Sequence, residues 1–107
     1  MVVNQYDIYL VKLSPTIGHE IKKTRPCVIL SPDDLNREIK TVIVAPLTSK
    51  SHHFSWRIPL VLNKRSGFVV LDQIRTVDLK RLVKKVGKLN ISTVMRVKAA
   101  IKEMLID

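Results

Sequence analysis

Short apolar segments separated by proline, glycine and serine run through most of this chain and restrict it to a small, strongly bent sheet. Most are rich in β-branched and aromatic residues and end at turn signals such as Ser14-Pro15 and Ser31-Pro32. The predicted strands cover residues 7–13, 27–30, 41–45, 56–62, 68–71, 73–77 and 82–86. A chain of 107 residues is too short for a second core, so residues 1–107 are expected to form one domain.

The hydrophobic period changes near the C-terminus, where apolar residues recur at steps of three and four. The predicted apolar face comprises Ile91, Val94, Val97, Ile101, Met104 and Leu105. Asn90 or Ser92 can cap this helix. Together the segments predict a mainly β, α+β fold: a small SH3-like barrel of about five to seven short strands with a C-terminal amphipathic helix packed against it.

The charge balance points to a polyanionic partner. Nineteen Lys and Arg against nine Asp and Glu give a net charge of +10, which attracts nucleic acid or an acidic protein. Charge indicates partners but no reaction, so a basic barrel that binds nucleic acid without cutting it, such as a repressor subunit or a ribosome-associated module, remains an alternative.

Cysteine and hydropathy patterns narrow the setting. Cys27 is the single cysteine, which excludes an intrachain disulfide, and its apolar neighbours predict a buried side chain. No stretch approaches the roughly 20 apolar residues of a membrane span, and the start of the chain resembles a strand more than a signal peptide, so the cytoplasm is expected. His52 and His53 lack ligand companions at metal-binding spacing, so no metal site is expected.

Three chemically useful side chains precede the second predicted strand. His19, Glu20 and Arg25 lie in a loop that also holds Pro15 and Gly18. A base, an acid and a permanent cation are therefore expected at one edge of the barrel. Read from the residues alone, Arg25 is more often a surface cation before a strand than a catalytic group.

Three segments together resemble the MazF/PemK family of toxins, which are ribonucleases that cut single-stranded RNA. They are PTIGHEIKKTRPCVILSPDDLN at 15–36, APLTS at 45–49 and LDQIRTVD at 71–78. The resemblance implies a homodimeric SH3-like barrel that needs no cofactor or metal. It further implies an acidic antitoxin partner, with operator DNA reached only through that antitoxin.

The resemblance also implies site residues. Arg25, in Arg25-Pro26, matches the arginine of the family's catalytic pocket, and Thr48 matches its phosphate-binding threonine. A guanidinium stays protonated and fits phosphate oxygens with a planar fork, while a neutral hydroxyl donates one hydrogen bond. Thr48 could instead be a turn residue at the end of its strand.

The sequence leaves two adjacent residues as candidates for the general base. Gly18-His19-Glu20 matches members thought to use that histidine, but those members carry an arginine where this chain has Val70. Arg25 is therefore expected to be the main cationic stabiliser, with His19 or Glu20 as base. Glu20 could alternatively form an ion pair that orients Arg25.

Further RNA contacts are predicted around this site. The candidates are Lys22, Lys23, Ser49, His52, His53, Phe54 and Gln73. Gln73 has two possible partners, a base edge or the catalytic loop, and Arg75 with Asp78 could form a local pair. A basic cluster at residues 80–88 could bind RNA or antitoxin, whereas Trp56 and Phe68 are assigned to the core.

The first strand departs from the family pattern at one position. The family usually has glycine before the acidic residue of this strand, and this chain has Tyr6 before Asp7. The substitution predicts a backbone without the usual positive φ at this position.

Overall fold

The computed structural model describes residues 2–50 and 56–107. Within these residues the strands are β1 Asp7–Lys12, β2 Thr24–Ile29, β3 Thr41–Thr48, β4 Arg57–Leu62, β5 Arg65–Val70, β6 Arg75–Asp78 and β7 Leu82–Lys88. The helices are α1 Asp33–Glu38 and α2 Ile91–Ile101; single 3-10 turns cover Leu71–Gln73 and Leu79–Arg81, and a π-helical turn, Lys102–Ile106, follows α2. No helix in this part of the chain is long and apolar enough to cross a bilayer.

The strands form one curled antiparallel sheet in the order β4-β5-β3-β2-β1-β7. β3 is its centre: β2 lies along one edge, while β6 and β5 share the other, pairing with the first and second halves of β3. This half-barrel, with its helix at the C-terminal end, confirms the predicted fold.

The central part of the sheet is buried on both faces, which explains why Cys27, Val28 and Ile29 of β2 are all apolar. Successive side chains of a strand point to opposite faces. Val28 therefore joins a core cluster with Leu47, Val69 and Val97 of α2. Its neighbours Cys27 and Ile29 join a second cluster on the opposite face, with Val11, Leu13, Val42 and Val44. These two clusters fix the positions of β2 and β3 relative to each other.

Helix α2 begins at the predicted cap, where the Asn90 side chain accepts a hydrogen bond from Thr93 N at 2.8 Å. Val94 and Val97 are buried as predicted, but the assignment of Ile91 to the apolar face is wrong, since it is 76% exposed. At about 100° per residue Ile91 lies opposite the buried Ala100. The wider π turn likewise turns Leu105 outward, and it is 66% exposed.

Two aromatic assignments also change. Trp56 is 37% exposed and Phe68 is half-buried, because they lie just before and within the β4–β5 hairpin at the edge of the sheet. The edge strand β4 has a neighbour on one side only, so Trp56 directly before it is incompletely covered.

The predicted backbone at Tyr6 is wrong: its φ is +71°. Tyr6 N donates to Ile29 O at 2.7 Å, and Tyr6 O accepts from Leu89 N at 3.0 Å. These bonds tie the residue to strand β2 and to the end of β7, and its side chain packs on the core. The surrounding contacts therefore impose a left-handed conformation that glycine would adopt without strain.

The Cys27 thiol is fully buried, as predicted, and burial raises its pKa to about 12 despite the opposing influence of Arg75. We expect it to stay protonated and unreactive toward a thiol reagent in the native protein, even at pH 9, because only the thiolate attacks. Labelling kinetics with and without denaturant test this, with free cysteine as control. Rapid labelling of the native protein would contradict it.

Candidate active site

Arg25 and Thr48 are brought together by the register of β2 and β3. The paired residues are Cys27 with Pro46, Val28 with Ala45, and Ile29 with Val44. Continuing this antiparallel register by two residues places Arg25 opposite Thr48, and directly opposite residues share a face of the sheet. The two residues singled out from separate motifs therefore meet at one end of the sheet.

A groove of about 550 Å³ opens at this end of the sheet. Its polar lining comprises Arg25, Thr48, Ser49, Asn63, Arg65 and Ser66, with Gly67 from β5. Its apolar lining comprises Leu10, Pro26, Leu47, Leu60, Leu62 and Val86. The groove thus combines hydrogen-bond donors with apolar surface, as nucleotide sites require.

The electrostatics of the groove favour an anion. Arg25 and Arg65 both line it, and none of its described lining residues is acidic. Neither arginine forms an ion pair with a residue in the described ranges. The Arg25 side chain donates a long hydrogen bond from Nε to Lys22 O, at 3.4 Å. Its guanidinium therefore keeps donors and charge for a ligand.

Thr48 is a turn residue, as one of the two sequence interpretations has it, and it also lines the groove. Its Oγ1 donates to Lys50 O at 3.1 Å and accepts from Lys50 N at 3.3 Å, which makes it a turn residue at the end of β3. It also lines the groove with Arg25. Rotation of the hydroxyl from Lys50 O would give a ligand in the groove a neutral donor.

The loop between β1 and β2 holds the remaining catalytic candidates away from the groove lining. His19, Glu20, Lys22 and Lys23 are all exposed. Glu20 forms no ion pair with Arg25 among the described side chains, so that suggested pairing is wrong; its Oε1 accepts from Ile17 N at 3.3 Å. Glu20 and Gln73 line a second pocket of about 220 Å³.

Side chains from the second half of the chain anchor this loop. Gln73 Oε1 accepts a hydrogen bond from Ile21 N at 2.8 Å. Of the two partners predicted for Gln73, the structure therefore shows the catalytic loop. Arg75 donates to Leu13 O at 3.2 Å. Arg81 donates to Lys12 O and Ser14 O at 2.9 and 2.7 Å. These contacts fix the base of the loop and leave its tip exposed.

Arg75 and Asp78, both within the described residues, do not form the suggested ion pair, because each has another partner. Arg75 reaches the Leu13 carbonyl, and Asp78 Oδ1 accepts from Lys80 N at 2.8 Å. Asp78 thereby caps the 3-10 turn Leu79–Arg81.

An ion pair missed by sequence reasoning lies beside the second pocket, which Asp72 lines. Arg57 donates from Nε and Nη2 to the two carboxylate oxygens of Asp72, at 3.1 and 3.0 Å. The hydrogen bond to Asp72 is the main cause of the raised pKa of Arg57. Arg57 pairs with Val70 across the β4–β5 hairpin.

Other predicted contacts have different outcomes. His52, His53 and Phe54 lie outside the described residues. Residues 2–50 and 56–107 contain no cluster of three or more potential His, Cys, Asp or Glu metal ligands. Within the basic cluster, Lys85 has a structural contact, because its Nζ lies 3.2 Å from Oδ1 of the buried Asp7.

The fold and the groove define a small basic half-barrel protein whose described groove residues include two arginines and no acidic side chain. Residues 4–105 match the family described as PemK-like, MazF-like toxins of type II toxin-antitoxin systems. The chain belongs to this family, which confirms the resemblance drawn from its motifs.

Two characterised relatives are similar in sequence. The chain is 34% identical over 96 residues to Endoribonuclease EndoA of Bacillus subtilis, covering 84% of this chain and 83% of the relative. It is 38% identical over 79 residues to Endoribonuclease PemK of Escherichia coli, covering 69% and 59% respectively.

Solved structures agree on the fold. MazF of Deinococcus radiodurans superimposes with a TM-score of 0.88 at 22% identity, covering 98% of this chain and 97% of the other. A mycobacterial endoribonuclease in complex with its cognate antitoxin superimposes with a TM-score of 0.82 at 19% identity, covering 96% and 94%.

Proposed function

We propose that this protein is an endoribonuclease toxin that cuts single-stranded RNA without a metal or other cofactor. The observation that carries the proposal is the convergence of Arg25 and Thr48 on one cationic groove that lacks acidic lining residues. Two relatives of this chain are named endoribonucleases, which supports the same reaction class.

In the proposed reaction the 2′-oxygen attacks the adjacent phosphorus and the bond from phosphorus to the 5′-oxygen breaks. The products are a 2′,3′-cyclic phosphate and a 5′-hydroxyl end. Arg25 stabilises the charge that develops on the phosphorane oxygens, and Thr48 donates a neutral hydrogen bond to one of them. A base removes the 2′ proton, and an acid protonates the departing 5′-oxygen.

The base is supplied by the loop between β1 and β2. No histidine or carboxylate is among the described groove residues, so His19 or Glu20 has to approach as RNA binds. The loop is closed at its stem by Leu13 N donating to Lys23 O at 2.9 Å, and its tip is exposed. A small movement of the tip over a bound RNA would complete the site.

Partners follow from charge and family. A net charge of +10 suits an acidic antitoxin whose disordered segment folds on binding and blocks the groove. A mycobacterial relative is known in complex with its cognate antitoxin. We propose a homodimer acting in the cytoplasm, with operator DNA contacted only through the antitoxin.

The discriminating experiment is digestion of a long single-stranded RNA by purified protein in excess chelator, followed by analysis of the new ends. Cleavage at a short recurring sequence with cyclic phosphate and 5′-hydroxyl ends is expected. RNA that is bound and left intact would instead favour the basic binding barrel. Product ends carrying 5′-phosphate would contradict the proposed attack by the 2′-oxygen.

Arg65 is an additional predicted phosphate contact, because it lines the same groove from β5 and is exposed. Arg65→Ala should raise KM about three- to tenfold and reduce the salt dependence of RNA binding by about one phosphate contact, with kcat little changed. Lys98→Ala, on the exposed side of α2, is the matched control. Equal salt slopes for both variants and wild type would refute the contact.

A further inference from the structure

Strand β5 approaches the end of β3 unusually closely at Gly67. Thr48 pairs with Phe68, which places the backbone of Gly67 beside the Thr48 carbonyl. A Cβ atom at position 67 would lie 2.9 Å from Thr48 O and 3.7 Å from Thr48 C. A separation of 2.9 Å between a methyl carbon and a backbone oxygen is a steric overlap, so one of the two strands would have to shift.

The requirement for glycine here is one of space. Among the described glycines only Gly18 has a positive φ, so Gly67 has a backbone that other residues adopt readily. The missing side chain is therefore what permits the close approach. The atom that it approaches belongs to the residue whose hydroxyl lines the groove opposite Arg25.

We propose that Gly67 is a positioning residue for cleavage: by admitting β5 against the Thr48 carbonyl, it fixes where the Thr48 hydroxyl stands relative to Arg25. This inference rests on the proposed role of Thr48 in binding the scissile phosphate. Misplacement by about 1 Å in an active site can cost 100-fold in rate. A shift of a few tenths of an ångström at β3 should therefore be visible in kcat.

The central variant is Gly67→Ala, with Gly87→Ala as its matched control. A Cβ at Gly87 would also meet an atom at 2.9 Å, but that atom is Leu62 Cδ1, the end of a flexible side chain that can turn aside. Gly67→Ala is expected to lower kcat about 10- to 100-fold with KM within about threefold of wild type, whereas Gly87→Ala, which moves the tip of the groove-lining Leu62 but not the Thr48 backbone, keeps kcat within about threefold.

A double-mutant cycle with Thr48→Ala separates positioning from other effects. If Gly67 acts through Thr48, the double variant should be no slower than Thr48→Ala alone, because the displaced hydroxyl is already absent. Multiplying losses would overturn the proposal. So would wild-type kcat for Gly67→Ala, or loss of cooperative thermal unfolding in that variant, since the glycine would then serve the fold as a whole.

The same cycle distinguishes failure of this inference from failure of the proposed function. Full activity in Thr48→Ala, or no cleavage by wild-type protein, would reject the role of Thr48 itself. A slow Thr48→Ala variant beside a fully active Gly67→Ala variant would reject only the positioning role.

Discussion

Arg25→Ala should lower kcat/KM for RNA cleavage by at least about 100-fold while leaving the folded protein intact. The loss is large because the guanidinium would be the main group that neutralises charge developing on the phosphorane; removing one such donor typically costs 10²–10³ in rate. The fold should survive because Arg25 is half-exposed, forms no ion pair with the described residues, and makes one long side-chain hydrogen bond at 3.4 Å.

Arg25→Lys is the informative companion. Lysine keeps the charge but replaces a planar fork by a point donor, so cleavage should recover only partly. Arg96→Ala, exposed on α2, controls for the loss of one positive charge. RNA cleavage and thermal unfolding measured on all variants give the answer. Activity of Arg25→Ala within about threefold of wild type, or a loss of activity matched by unfolding, would contradict the proposed role.

The parts of the site that could be predicted are those contained in contiguous motifs. The loop before β2 follows from local signals, a Pro- and Gly-containing turn beside an apolar run. The end of β3 does not, because the predicted strand stops at residue 45 whereas β3 continues through Pro46 to Thr48. The selection of Arg25 and Thr48 came from the resemblance to the family, and their convergence follows from the β2–β3 register, which the two apolar faces determine.

The supporting contacts join residues far apart in the chain, and of these only the loop contact of Gln73 was predicted, as one of two alternatives. Gln73 and Ile21 are 52 positions apart, and Arg75 and Leu13 are 62 apart. Such pairs depend on how the sheet curls, which no local period encodes. The groove position of Arg65 was missed for the same reason. In sequence Arg65 belongs to a polar turn cluster, and only the pairing of β5 with β3 places it in the groove that Thr48 also lines.

The conformation of Tyr6 shows a further limit of local reasoning. Its side chain predicts an ordinary strand backbone, yet hydrogen bonds to Ile29 and Leu89 hold φ at +71°. Tertiary contacts outweigh an intrinsic preference that costs about 1–3 kcal/mol in such positions. A non-glycine residue can therefore hold a left-handed backbone where tertiary hydrogen bonds require it.

The remaining large effect concerns the base, which His19→Gln and Glu20→Gln should assign. Removal of a general base typically costs 10²–10⁴ in rate, so one variant should lose at least about 100-fold and the other should lose much less. Both side chains are exposed on the loop. Among the described residues they form one hydrogen bond, which Glu20 Oε1 accepts from Ile17 N, so neither change should unfold the protein.

The two variants give opposite patterns for the two candidates. If His19 is the base, His19→Gln should lose most of the rate while Glu20→Gln keeps it; if Glu20 is the base, the reverse is expected. Near-normal rates in both variants would place proton abstraction outside this loop and remove the need for its tip to approach the groove.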